Sequence, residues 1–255
     1  MPAGIAGRHA LVTGGGRGIG RAVAAALTAA GATVTVLGRD RAALDAVVAG
    51  GEAAGLVAAD VTDADAVTRA VAQAEAERGR PVDILIANAG AAETAPFLKS
   101  GPDLFRRMFD VNLVGAVNAV AAVLGPMQAR GHGRVIAVAS TAGLKGYPYA
   151  TAYAASKHAL VGLVRALALE VAASGVTVNA VCPGYTDTDI VRESARRIVA
   201  KTGRSEAQAL AELTRGNPQG RLVQPAEVAA AVLYLAGGTA SAVNGHCLTL
   251  SGGEV

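Results

Sequence analysis

The 255-residue chain has only two cysteines, Cys182 and Cys247, with neither metal-ligand spacing nor a clustered histidine partner. Both are therefore read as reduced core residues, and no metal site is expected. Charge of one sign is also scarce. Lys and Arg number 23 against 20 Asp and Glu, a formal net charge of +3, and the basic residues are scattered. So mild an excess, with no run of like charge, argues against nucleic acid as a partner. The sequence lacks an uncharged apolar run of about 18 residues that would span a bilayer, and the N-terminal stretch Met1 to Gly7 lacks a basic segment followed by an apolar core. The expectation is a soluble cytoplasmic protein with no membrane contact. Internal repeats and low-complexity linkers are absent as well.

What is present is a hydrophobic fraction of 52% with 32 glycines, which at this length fits one α/β domain with a large buried sheet. Short apolar runs at 8–12, 33–37, 56–59, 84–87, 135–139, 176–181 and 247–250 read as strands. Their continuous β-branched character suits a sheet buried on both faces. Helical stretches lie between them at 18–30, 40–49, 63–78, 103–129, 150–173 and 225–236, several ending at glycine, as at Gly31, Gly50 and Gly79. Such alternation implies parallel βαβ units with right-handed crossovers, hence a doubly wound α/β sheet. Ligands of such sheets bind beyond the carboxyl ends of the strands. The one long departure, 184–220, reads as a mobile helical flap over the site.

Two local patterns carry chemistry. Thr13-Gly-Gly-Gly-Arg-Gly-Ile-Gly20 follows the first strand and opens the first helix. Its glycines would let backbone approach a pyrophosphate while the helix N-terminus supplies free N–H groups. Tyr153 and Lys157 stand four apart on a helix, so the ammonium is expected to lie beside the phenol and favour its ionised form. A tyrosine that titrates near ~10 needs such help to exchange protons at neutral pH.

These elements, with Asn88-Ala89-Gly90 after the fourth strand, Asn112 in a long helix, Ser140 after the fifth strand and Pro183-Gly184 after the sixth, resemble the short-chain dehydrogenase/reductase family over nearly the whole chain. The resemblance implies a single Rossmann-type domain of about seven strands with a substrate flap at 185–221. It also implies NAD(P) bound at Gly14, Gly16, Arg17, Gly18, Ile19 and Gly20, with Asp60 and Val61 beside the adenine and Asn88 steadying the central strands next to Ala89 and Gly90. Pro183, Gly184, Thr186 and Thr188 match the loop at the nicotinamide end, with the Thr186 backbone and the Thr188 hydroxyl on the carboxamide. Thr188 also suits an N-cap of the flap helix.

The second strand ends in Arg39, which together with Arg17 would fork onto a 2′-phosphate, so NADP(H) is favoured over NAD(H). Asp40, one position further on, is read as a helix cap. On the family's pattern Tyr153 is the acid in reduction and the base in oxidation, Lys157 lowers its pKa and grips the nicotinamide ribose, Ser140 hydrogen-bonds the carbonyl oxygen, and Asn112 holds a water joining the lysine to solvent. His158 points about 100° away from Lys157 and is read as packing or interface. His9, His132 and His246 receive no role.

Specificity is expected in 141–149, in 93–97 and in the flap. Within the family the motifs look closest to β-ketoacyl thioester reductases and aromatic polyketide ketoreductases, which implies a 3-oxoacyl substrate on coenzyme A or acyl carrier protein. Arg192, Arg196, Arg197, Lys201 and Arg204 would meet its phosphates or, with Glu193 and Glu206 among them, simply form a solvated face; the second reading outweighs the first. Tyr147, Tyr149 and Tyr185 line an acyl pocket or fill the cleft mouth. The competing functions are an NAD(P)-linked dehydrogenase of secondary alcohols or hydroxyacyl-CoA and, from another class, a non-catalytic dinucleotide sensor. The family also implies a homotetramer joined through the long helices and through 250–255.

Overall fold

The computed structural model describes residues 4–255, so Met1 to Ala3 and the Lys201 side chain lie outside the described residues. Seven strands form one parallel sheet in the order β3-β2-β1-β4-β5-β6-β7. They are β1 (His9–Thr13), β2 (Thr33–Gly38), β3 (Gly55–Ala58), β4 (Ile84–Ala87), β5 (Gly133–Val138), β6 (Val176–Pro183) and β7 (Cys247–Leu250). Each lies within two residues of its expected bounds. The strand order reverses between β1 and β4, which opens a crevice at their carboxyl ends, between the glycine turn and Asn88-Ala89-Gly90.

Helices cover both faces. α1 (Gly18–Ala29), α2 (Arg41–Ala49) and α9 (Pro225–Ala236) pack on one side, where Val12, Val23, Val34, Val36, Ile86 and Val232 form one core. α3 (Ala64–Arg78), α5 (Gly115–Ala129) and α6 (Thr151–Val171) pack on the other over Leu11, Leu85, Val123, Leu160 and Val178. Each such aliphatic side chain contributes about 1.5–3 kcal/mol when fully buried. The ends follow local chemistry. Asp40 caps α2 by accepting from Ala43 N–H at 3.1 Å, as expected, and Asp63 caps α3 through Ala66 at 2.9 Å. Gly79 closes α3 in the left-handed conformation at φ 62°.

One expected helix is broken. The stretch 103–129 divides into α4 (Pro102–Phe109), a π-turn at Asp110–Val114, and α5. Helical periodicity hides a single inserted residue, because apolar positions on either side remain a turn apart. Pro102–Ala129 also corrects the reading that no stretch matches a membrane span: its mean hydropathy reaches 1.6 over an 18-residue window. Here its apolar residues Ala119, Val123 and Met127 are buried in the core. The flap is helical as expected, with α7 (Asp189–Thr202) and α8 (Glu206–Thr214). Cys182 is buried, whereas Cys247 is only partly so, and both thiols are free.

Candidate active site

The glycine turn makes a cradle that side chains would fill. Gly14 has φ 64°, and a Cβ there would stand 2.9 Å from Ala89 Cα; a Cβ on Gly20 would stand 2.3 Å from the Gly14 carbonyl oxygen. Arg17, the residue before α1, offers no side-chain cap, so the helix N-terminus keeps N–H groups for an anion. Ile19 packs on the core beneath it, and Gly16 faces Ala43 of α2. Asn88 Nδ2 donates to the Thr13 and Gly14 carbonyls at 2.9 and 3.2 Å, while Thr13 Oγ1 accepts from the N–H groups of Asn88 and Ala89, both at 3.0 Å. Asn88 thus ties the ends of β1 and β4 together. These features fit a dinucleotide pyrophosphate.

Where the adenosine is expected, Asp60 is held by Thr62 N–H at 2.9 Å, which with Arg39 keeps its carboxyl below the usual range. Val61 is buried against Gly115. The expected free fork of two guanidiniums is not what stands here. Arg17 pairs with Asp40, and Arg39 reaches Asp60 at 3.5 Å. Asp40 therefore serves both as cap and as counterion, a doubling that no local pattern displays. Exposed pairs of this kind are worth about 0–1 kcal/mol, so a phosphate can displace the carboxylates at low cost.

Ser140, Tyr153 and Lys157 meet beyond the carboxyl ends of β5 and β6. Ser140 leaves β5 in extended conformation and caps a short 3-10 turn, Thr141–Gly143, by accepting from Ala142 N–H at 3.0 Å. Tyr153 and Lys157 sit one turn apart on α6, with Lys157 Nζ 5.9 Å from the Tyr153 ring centre. Asn112 stands in the π-turn, fully buried; it donates to Ala91 O at 3.0 Å and to Ser156 Oγ at 3.1 Å, and its Oδ1 accepts from Ala91 N–H at 3.0 Å. A Cβ on Gly90 would lie 2.7 Å from Asn112 Oδ1 and 3.6 Å from Lys157 Nζ, which places the asparagine and lysine around one small space.

The electrostatics differ from the sequence expectation. Burial pushes the Tyr153 phenol above its ordinary value, and hydrogen bonding from Ser140 pulls the other way; Lys157 is not among the causes. The lysine is itself 4% exposed, donates to Val138 O at 2.9 Å and is lowered to about 8 by burial. Spacing put the ammonium beside the phenol but could not register that both groups lose water.

In the loop expected to meet the nicotinamide, Pro183 finishes β6, and Gly184 N–H donates to Leu250 O at 3.0 Å. Thr186 is buried and bridges to Val223. Thr188 occupies the N-cap position of α7, yet its hydroxyl donates to Thr186 O at 3.2 Å and makes no cap bond, so the capping role does not hold. A Cβ on Gly18 would touch Thr188 Cγ2 at 3.1 Å, which brings the two ends of the cradle together.

The flap cations are largely used locally: Arg192 pairs with Asp187, Arg197 with Glu193 and Arg204 with Glu212. This is the solvated-face arrangement. Histidine partners are also visible. His158 bonds Ala154 O at 2.9 Å and stays out of the site, while His9, given no partner from sequence, is buried between Thr35 Oγ1 at 3.0 Å and Arg80 O at 3.2 Å. A polar cleft of about 610 Å³ lined by Arg8, Arg80, Arg130 and His132 lies at the amino ends of the strands, away from this chemistry. Sequence reasoning placed Glu254 only within the 250–255 interface segment, whereas it accepts from the Tyr147 hydroxyl at 2.8 Å at the cleft rim. An isolated acid among glycines carries no motif signal.

A short chain dehydrogenase family profile matches residues 8–198. The chain is 36% identical over 249 residues to an acetoacetyl-CoA reductase of Shinella zoogloeoides, covering 97% of this chain and 98% of that protein. It is 36% identical over 246 residues to a 3-oxoacyl-[acyl-carrier-protein] reductase of Mycobacterium avium, covering 96% and 89%. Among solved structures, an actinorhodin polyketide ketoreductase variant with NADPH superposes with a TM-score of 0.91 at 36% identity, over 99% of this chain and 98% of that one. With the sheet order, the glycine cradle and this likeness along its full length, the chain belongs to the short-chain dehydrogenase family of oxidoreductases.

Proposed function

We propose that this enzyme uses NADPH to reduce the ketone of a 3-oxoacyl thioester, carried on coenzyme A or acyl carrier protein, to the secondary alcohol. The observation that carries the reading is the convergence of Ser140, Tyr153, Lys157 and Asn112 beside the glycine cradle. The full-length likeness to acetoacetyl-CoA and 3-oxoacyl reductases supports the substrate class.

NADPH, when bound, supplies hydride to the carbonyl carbon. The residues of this chain then manage the oxygen. Ser140 donates a hydrogen bond to it, and Tyr153, kept protonated by burial, gives up its phenolic proton as negative charge develops there. Lys157 holds the ribose hydroxyls, and with Asn112 beside it connects the phenol to the proton supply. The same phenol serves as acid in ketone reduction and, once ionised, as base in alcohol oxidation. A sensor without turnover would use Lys157 to hold the ribose but would have no need for Ser140, Tyr153, Lys157 and Asn112 together.

Preference for NADP(H) is part of the proposal, through Arg17 and Arg39, whose side chains are 66% and 74% exposed at the adenosine end. Assembly as a homotetramer is another part, supported by apolar side chains left in water on the long helices, Val117 on α5 and Leu169 on α6, the latter 81% exposed. Light scattering that returns a monomer mass would refute it.

The test of function follows nicotinamide absorbance with purified enzyme, NADPH or NADH, and acetoacetyl-CoA, a bicyclic ketone and a simple aryl ketone. Oxidation of NADPH by the thioester is expected. Activity confined to NAD+ with secondary alcohols would overturn both the substrate and the cofactor assignment.

A further inference from the structure

The segment Ser251–Val255 passes between the two sides of the cleft rim and inserts one carboxylate there. The Glu254 side chain is only 5% exposed, a costly placement for a charge unless partners surround it. On one side its Oε1 accepts from the Tyr147 hydroxyl at 2.8 Å and pairs with Lys145 Nζ at 3.0 Å; Lys145 Nζ also donates to the Glu254 carbonyl oxygen at 3.3 Å. On the other side, a Cβ on Gly216 would lie 2.6 Å from Oε1 and a Cβ on Gly184 3.4 Å from Oε2. Only glycine leaves the carboxylate room at position 216, at the end of the flap.

The contacts run on toward the reacting carbonyl. The Tyr147 phenol has a single proton and gives it to Glu254, so the 2.7 Å contact between Thr141 Oγ1 and the Tyr147 hydroxyl has Thr141 as donor. Thr141 directly follows Ser140 and carries the turn that Ser140 caps, with Gly143 N–H on Ser140 O at 2.9 Å and the N–H groups of Leu144 and Lys145 on Thr141 O at 2.9 and 3.0 Å. The Tyr147 ring meets Tyr185 edge to face at 6.2 Å, which closes the link to the loop after β6.

We propose that Glu254 is a positioning residue for the ketone: its carboxylate locks Lys145 and Tyr147, and through Thr141 fixes the turn that presents the Ser140 hydroxyl. This rests on the reading of a ketone held at Ser140, but it does not depend on which ketone. Among the described residues no contact ties Glu254 to the glycine cradle, and its one approach to the loop after β6 is at Gly184, so its loss should act chiefly on the ketone.

The experiment compares wild type with Glu254→Ala and Glu254→Gln by hydrogen exchange over 141–149 with NADPH bound, and by KM for the ketone and Kd for NADPH. Glu254→Ala is expected to speed exchange at Gly143, Leu144 and Lys145 and to raise ketone KM at least about tenfold, as the loss of a hydrogen bond to a charged group implies. NADPH Kd should stay within about twofold, since that shift is well under one such bond. Glu254→Gln keeps an acceptor for Tyr147 but not the ion pair, and should fall between. Unchanged exchange and KM in Glu254→Ala, or an equal loss of NADPH affinity, would overturn the assignment. If the alanine variant fails to fold, Tyr147→Phe breaks the same contact from the other end and must give the same split. Exchange needs no substrate, so a wild-type enzyme that ignores acetoacetyl-CoA would refute the substrate class while the exchange result still decides Glu254.

Discussion

Lys157 Nζ donates to the carbonyl oxygen of Val138 at 2.9 Å, so the ammonium on α6 is anchored to the last residue of β5. That bond places the lysine at the carboxyl end of the sheet, at the expense of nearly all its water.

The first prediction concerns stability. Burial lowers Lys157 from 10.5 to about 8. Below about pH 8 the folded and unfolded chains both hold the proton, and the folded state bears the full cost of burying it. Between about 8 and 10.5 the unfolded chain binds the proton and the folded chain does not, so stability rises with pH. Across that window, denaturant unfolding should show wild type gaining about 3 kcal/mol more than Lys157→Met, at about 1.36 kcal/mol per unit. Parallel curves would contradict the burial cost.

Removing the phenolic hydroxyl tests the proton donor. Tyr153→Phe should lower kcat by about 10²–10⁴, the usual worth of a positioned acid, with NADPH affinity retained by fluorescence titration. A near-normal rate would assign the proton to another group.

The proposed preference for NADP(H) rests on exposed guanidiniums. Arg39→Asp should move the ratio of kcat/KM for NADPH over NADH toward NADH by repelling the 2′-phosphate. If the ratio holds, Arg17, freed from Asp40, carries the phosphate.

Close approach in the glycine cradle predicts a steep contrast between two equal substitutions. Gly20→Ala puts a methyl 2.3 Å from the Gly14 carbonyl oxygen and 2.5 Å from Asn88 Nδ2, so folding or cofactor binding should fail. Gly146→Ala meets nothing within 4 Å, and its melting temperature should match wild type.

Gly90 offers a finer probe of the π-turn. A methyl there must displace Asn112 Oδ1, which stands 2.7 Å away and accepts from Ala91 N–H. The lost bond should cost about 1–3 kcal/mol, read by chemical denaturation, whereas an unshifted midpoint would mean that the turn adapts.

Much of this was legible in the chain itself. All seven strands follow from short apolar runs, because parallel strands covered on both faces are mostly apolar, even though His9, Thr35, Arg134, Thr177 and Asn179 are buried within them. The glycine turn was legible because backbone contact tolerates only glycine at Gly14 and Gly20. Tyr153 and Lys157 were legible because one helical turn sets their separation. Asp40 as a cap was legible for the same reason, since its partner Ala43 is three residues away.

The remainder depended on contacts between distant residues. Within the π-turn Asn112 bonds to Ala91 and Ser156, partners that no window of that helix contains. The pairing of Arg17 with Asp40 spans two loops, and Glu254 meets Tyr147 across more than a hundred positions. The rise of the Tyr153 pKa and the fall of the Lys157 pKa depend on how much water packing removes. By itself the sequence determined the alternation of elements, the cradle and the one-turn spacing of Tyr153 and Lys157, because those arise from local sterics and periodicity. Only the tertiary structure decided which charges are paired, which groups are desolvated and what surrounds Glu254 at the cleft rim, because burial and long-range contact exist only once the sheet and its helices have closed around them.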